Sequence, residues 1–118
     1  MTCKRLLFVN RRTPRAGALA AEMLDAALIA ASLGQEVHLA FLDDGVFQLL
    51  KGPAAADGGD LTARFAELGD YDIDHVWVER DSLTERGLTA ADLAVPVALV
   101  DRDALSATMA AMDMVISA

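Results

Sequence analysis

The sequence predicts an α/β domain in which a parallel sheet is covered on both faces. Two observations carry this. Short apolar runs alternate with helix-periodic segments in the order β-α-β-α-α-β-α-β-α-β, the signature of strands joined by crossover helices. The chain has 118 residues, 54% apolar and 24% charged, enough to bury about two-thirds of its unfolded surface in one core. Residues 1–118 therefore read as a single domain.

Lys4 to Asn10 is a short apolar run followed by turn residues, hence a buried first strand. Thr13-Pro14 offers an N-cap and a proline at the first helical position, opening a helix from about Pro14 to Leu33 that Gly34 stops. Leu19, Met23 and Ala27 share one face of it, and Leu24, Leu28 and Ala31 extend the apolar surface well round the circumference. Such a helix needs cover on two sides: the sheet, and a neighbouring helix or another subunit. Val37 to Leu42 is the second strand, and Asp43-Asp44-Gly45 has helix-start chemistry ahead of a short helical segment from Val46 to Leu50, ended by Gly52-Pro53. Ala54 to Gly59 is a loop. Asp60 caps a helix with Leu61, Phe65 and Leu68 on one face, closed by Gly69. His75 to Glu79 is the third strand, and Ser82-Leu83-Thr84-Glu85 matches a capping box before Gly87. Val95 to Val100 is the fourth strand, with Pro96 near its start. Asp101 or Asp103 opens a last helix with Leu105, Met109 and Met112 at helical spacing, and Asp113 to Ile116 is the fifth strand.

Composition narrows the function. The formal charge is −8, so non-specific binding to DNA or an anionic membrane is disfavoured. The single cysteine, Cys3, excludes an internal disulfide framework and a Cys-rich zinc site. Leu6 to Val9 is too short for a signal-peptide core, and Ala16 to Leu33 carries Glu22 and Asp25, so neither a secretion signal nor a membrane span is expected. A reducing cytoplasmic setting follows as the expectation. No P-loop or dinucleotide fingerprint is present, and no cofactor is expected.

In an open α/β sheet, ligands bind beyond the carboxyl ends of the strands. The loop after the first strand holds Arg11, Arg12 and Arg15. With Lys4 and Arg5 these are five of the ten bases, a candidate contact for an anion or a partner. Asp43-Asp44 offers either Mg²⁺ ligands or a helix cap. His38 and His75 lack metal-spaced companions and read as structural. Ser82 is better placed as an N-cap than as a nucleophile. Cys3 has cationic neighbours but precedes the first strand, at the sheet end opposite the ligand edge. In Val46-Phe47-Gln48-Leu49-Leu50, Phe47, Leu49 and Leu50 should not all fit one core, so apolar surface should be left over for association, with Phe47 and Leu50 as anchors. The residues alone describe a domain that works through contacts.

Asp44-Gly45-Val46-Phe47-Gln48-Leu49-Leu50 followed by Gly52 resembles a segment of the TusC/DsrF family of sulfur-relay subunits. Tyr71-Asp72-Ile73, Val76-Trp77-Val78 and Ser82-Leu83 with Glu85-Arg86-Gly87-Leu88 are similar to its middle segment, and Met112 to Ile116 to its last strand. The resemblance spans nearly the whole chain. It implies a three-layer α/β/α sandwich with a five-stranded, mainly parallel sheet. It implies a heterohexamer with TusB/DsrH-like and TusD/DsrE-like partners, passing persulfide sulfur toward 2-thiolation of tRNA wobble uridine or into sulfur oxidation. The family's sulfur-carrying cysteine lies near the end of the third strand of the TusD or DsrE subunit. Here that region reads Trp77-Val78-Glu79-Arg80-Asp81, so the resemblance implies a subunit with no catalytic residue of its own, whose interface includes residues 44–50. A sulfurtransferase using Cys3, or a stand-alone homo-oligomer, is the alternative.

Overall fold

Five strands, β1 (Arg5–Asn10), β2 (Glu36–Phe41), β3 (His75–Glu79), β4 (Ala98–Val100) and β5 (Met114–Ser117), pair in the order β4-β3-β2-β1-β5, and every pair is parallel. The computed structural model describes residues 3–13, 19–50, 64, 65 and 67–117. Among the described residues, three helices, α1 (Leu19–Ser32), α2 (Arg80–Glu85) and α3 (Arg102–Ala110), and three 3₁₀ segments, Asp43–Leu49, Leu68–Tyr71 and Ala90–Asp92, lie in the connections.

The strand order dictates the layers. From β1 to β4 the chain steps in one direction across the sheet, and right-handed crossovers then place their connections on one face. That face carries the large core, where α1 (Leu24, Ala27), the 43–49 turn (Val46, Leu49) and α2 (Leu83) pack on Phe8, Leu39 and Val78. The step from β4 to β5 runs back to the far side of β1, so α3 lies on the opposite face. Its Leu105 meets Leu7, Val9, Ala40 and Leu42 in a smaller core. The sandwich is three-layered and unequal.

Local chemistry sets the boundaries. Gly34 takes φ +87°, and the amides of Gly34 and Gln35 close onto the carbonyls of Ala31 and Ala30, the paired bonds of a Schellman stop. Asp101, not Asp103, caps α3 by accepting from the Ala104 amide at 2.7 Å. The Asp113 carboxylate accepts from the Arg5 amide and the Gln35 amide oxygen from the Lys4 amide, both at 2.7 Å, which pins the register on each side of β1.

Several expectations need correction. β4 begins at Ala98 rather than Val95, because Pro96 has no N–H for the ladder. Ser82 is not an N-cap: α2 already begins at Arg80, and the capping box belongs to Thr89 and Asp92, later in the same connection. Neither Asp43 nor Asp44 caps the 43–49 turn, whose N-cap is Leu42. Val46, Leu49 and Leu50 all lie buried in the one large core, and Phe47 packs half-buried against it. The tight 3₁₀ winding and the extended exit at Leu50, tied to the next crossover by the Leu50–Leu93 bridge, turn the side chains into a single core. The helix start at Thr13-Pro14, the Gly52-Pro53 stop, the Ala54–Gly59 loop and the Asp60 cap fall wholly or partly outside the described residues; Phe65 and Leu68 are buried as their spacing predicts.

Candidate functional site

A crevice for ligands opens where adjacent strands send their connections to opposite faces. In this sheet that point lies between β3, which continues into α2 on the large-core face, and β4, which continues into α3 on the other. Glu79 ends β3 and Arg102 begins α3 beyond β4, so these two residues meet across the crevice.

They fill it. Arg102 donates from Nε to Glu79 Oε2 at 2.9 Å and from Nη2 to Oε1 at 3.1 Å, a two-pronged charge-assisted pair. Ser82 donates its hydroxyl to Glu79 Oε1 at 2.7 Å and accepts from the Asp43 amide at 2.8 Å. Glu79 is only 2% exposed, whereas the Arg102 side chain is 71% exposed, so the arginine forms the lid and the carboxylate the floor. The Arg102 guanidinium, with help from Ser82, holds the Glu79 carboxyl below the usual glutamate range against the opposing effect of burial. Glu79 in turn raises the Arg102 guanidinium.

Two more arginine–carboxylate pairs continue along the same edge. Arg11 donates from Nε and Nη2 to Asp43 Oδ2 at 3.0 and 2.9 Å, and Arg86 donates from Nε and Nη2 to Asp44 Oδ1 at 3.1 and 3.0 Å. Arg86 also donates to the Ser82 carbonyl at 3.1 Å. The pair proposed from sequence as Mg²⁺ ligands is thus committed to two guanidinium groups. Arg12 is exposed, and its carbonyl accepts from Gln48 Nε2 at 2.8 Å. Arg15 lies outside the described residues.

The turn carrying Asp43 and Asp44 is held by backbone contact. Asp43 has φ 51°, a left-handed conformation that aspartate tolerates better than most residues. Gly45 lies against the carbonyl of Asn10. A Cβ at this position would stand 1.8 Å from that oxygen, so only glycine fits. The Asn10 side chain is buried and donates to the Phe8 and Ala40 carbonyls, which fixes the end of β1. The Asp44-Gly45 pair of the sequence motif therefore has a structural reason.

A second cluster lies on the small-core face toward the amino end. His38 and His75 stack at 4.2 Å. Trp77 Nε1, which can only donate, reaches His38 Nδ1 at 3.2 Å, so the hydrogen of His38 resides on Nε2 and is given to Glu36 at 2.7 Å. That bond holds the Glu36 carboxyl below its ordinary value. Cys3 is exposed ahead of β1, at the amino edge, a strand's length from Glu79.

Sequence reasoning ended the third strand at Glu79, and so at the ligand edge, but missed Arg102 as the residue that closes it. A glutamate ending an apolar strand was the available signal, since a carboxylate drawn into a core needs a cation to meet it.

The model of the DsrE/DsrF-like family matches residues 4–118. The chain belongs to the DsrE/DsrF-like family. It is 39% identical to the intracellular sulfur oxidation protein DsrF of Allochromatium vinosum over 102 residues, 85% of this chain and 74% of that protein. It is also 39% identical to a TusC homolog of Pseudomonas aeruginosa over 114 residues, 95% of this chain and 96% of that protein. The ychN protein of E. coli superposes with a TM-score of 0.83 over 98% of this chain and 99% of that one at 16% identity, which shows the shared fold. Among the described residues of this family member, no helix is long and apolar enough to cross a membrane.

Proposed function

We propose that this chain is a subunit of a cytoplasmic sulfur-relay complex of the TusBCD or DsrEFH type, and that it supports persulfide transfer without carrying the sulfur. The observation behind this reading is the closed crevice between β3 and β4. Where the sulfur-carrying sister subunit is expected to have its thiol, this chain has the Arg102–Glu79–Ser82 network. A thiolate there would face a buried carboxylate, with the nearest cation already engaged. Ser82 is no substitute nucleophile, because its hydroxyl is buried and bonded on both sides. The chain's role is to hold TusB/DsrH-like and TusD/DsrE-like partners in register, with the exposed Asp44, the half-buried Phe47 and the exposed Arg12 among its contacts.

The destination of the sulfur is 2-thiolation of tRNA wobble uridine. The extent of the match favours this over sulfur oxidation: it spans 96% of the TusC homolog but 74% of DsrF. The test is to incubate the co-expressed complex with a persulfide donor and weigh each chain by intact-mass spectrometry. The added sulfur should appear on the sister subunit, and Cys3→Ser in this chain should leave transfer intact. Loading of Cys3 followed by delivery to an acceptor overturns the reading in favour of a sulfurtransferase.

A further inference from the structure

Exposed apolar side chains lie on the α1 side and, as Met114 and Val115, on the edge strand β5, not on the 46–50 segment. Ile29 and Leu33 are 61% and 64% exposed, one helical turn apart on the same stripe, and Tyr71 across from them is 37% exposed. Together with Leu28 they line an open groove of about 490 Å³ between α1 and the 64–71 segment. One end of the groove is closed by the ion pair between Arg64 and Asp25. The large core takes the other side of the helix, through Ala20, Met23, Leu24 and Ala27. Among the described residues, the sheet side of this helix is covered and the Ile29–Leu33 side is left exposed.

The rim of the groove has a sign. The two stretches that flank it, α1 and residues 64, 65 and 67–72, carry the exposed Glu22, Asp25, Glu67, Asp70 and Asp72 against the single base Arg64, which is already paired with Asp25, among the described residues. A second copy of this chain presenting the same stripe would set acid against acid, which opposes self-association through this face. A chain that covers Ile29, Leu33 and Tyr71 must also answer that charge.

We infer that the α1 groove is the docking site for an amphipathic helix of a sister subunit, one whose apolar ridge is flanked by lysine or arginine. This rests on the sulfur-relay reading and names the surface and the chemistry through which the partner is held. An apolar helix ridge laid in a groove gives the affinity, and the acidic rim selects the partner and its direction.

The experiment co-expresses the full chain with the DsrE-like and DsrH-like chains of the same organism and follows amide hydrogen exchange with and without them. Complex formation should protect residues 25–33 and 67–71. Ile29→Arg and, separately, Tyr71→Ala should weaken assembly at least tenfold. Glu67→Lys with Asp70→Lys should weaken it in a way that disappears at high salt. All four residues are exposed, and unchanged thermal melts of the variants would confirm that folding is retained. A complex that forms with the groove unprotected, or that tolerates Ile29→Arg, overturns the groove while leaving the relay reading intact. A homo-oligomer of the chain alone with this groove protected overturns the choice of occupant. Failure of the wild-type chains to assemble at all overturns the relay reading and this inference with it.

Discussion

Two apolar stretches of this chain look alike in composition and end differently. Residues 46–50 place Phe47, Leu49 and Leu50 within four positions, yet the fold folds them inward. The α1 stripe of Ile29 and Leu33 is sparser, yet it stays in water. Apolar density therefore does not predict association; winding and tethering decide it. The 3₁₀ turn is tied at one end by the approach of Gly45 to Asn10 and at the other by the Leu50–Leu93 bridge, and the Ala94 amide donates to the Leu49 carbonyl at 2.7 Å. A regular α-helix lying on a sheet has no such freedom. It turns one face inward and must leave the other out.

The sharpest way to break this comparison is at Gly45. Adding a Cβ 1.8 Å from a backbone carbonyl forces β1 and the turn apart, so Gly45→Ala should cost about 4 kcal/mol or more in urea denaturation. Gly69, with nothing within 4 Å of its would-be Cβ, is the control, and Gly69→Ala should change stability by no more than about 0.5 kcal/mol. Equal effects at the two sites would remove the tether from the argument. Next in size is Leu49→Ala, which should cost about 3 kcal/mol by emptying a fully buried position. A loss below about 1 kcal/mol would mean the segment is held less tightly than its burial implies.

The third test concerns the edge network. Glu79→Gln keeps an acceptor for Ser82 but loses the charge on which Arg102 folds, and should cost about 1–2 kcal/mol at neutral pH. The folded-state value of Glu79 is depressed. Its contribution is therefore complete above the ordinary glutamate value of about 4.3, and is lost as pH falls from there through the folded value. Wild type should lose stability in that window more steeply than Glu79→Gln. Glu36 shifts in the same direction through His38 but is common to both proteins, so it drops out of the difference. Parallel slopes would show that the pair contributes no net stability.

The alternation of elements along the chain, the Gly34 stop, the cap of the last helix at Asp101 or Asp103 and the terminal strand were legible because each rests on local chemistry. What was not legible depends on distance in sequence. Arg102 and Glu79 are 23 residues apart, and nothing in either neighbourhood says that a crossover will bring them together. The Ser82-x-x-Glu85 pattern was misleading for a related reason. The same spacing that marks an N-cap also fits a serine inside the first turn, and only the Asp43 amide from another connection shows which is present. The inward turn of residues 46–50 was hidden because apolar counting assumes α-helical winding. The wide apolar circumference of α1 was readable through Leu24, Leu28 and Ala31, but these pack in or against the large core, and the residues left exposed are Ile29 and Leu33, which periodicity did not single out.

The smallest expected effect is therefore the most telling. Ile29→Ala in α1 and Leu33→Ala just past its end remove large side chains, yet each is more than half exposed, so little burial is lost on truncation. Alanine is also the stronger helix former, by roughly 0.4 kcal/mol against isoleucine. The isolated chain with Ile29→Ala should thus match or slightly exceed wild type in stability, within about 0.5 kcal/mol, while Leu49→Ala falls far below it. A loss of 2 kcal/mol at Ile29 in the isolated chain would mean that the stripe is already covered by the fold itself, and the distinction between the two stretches would collapse. Indifference at Ile29 beside a large loss at Leu49 would keep the two stretches distinct, one serving the fold and the other open to a contact.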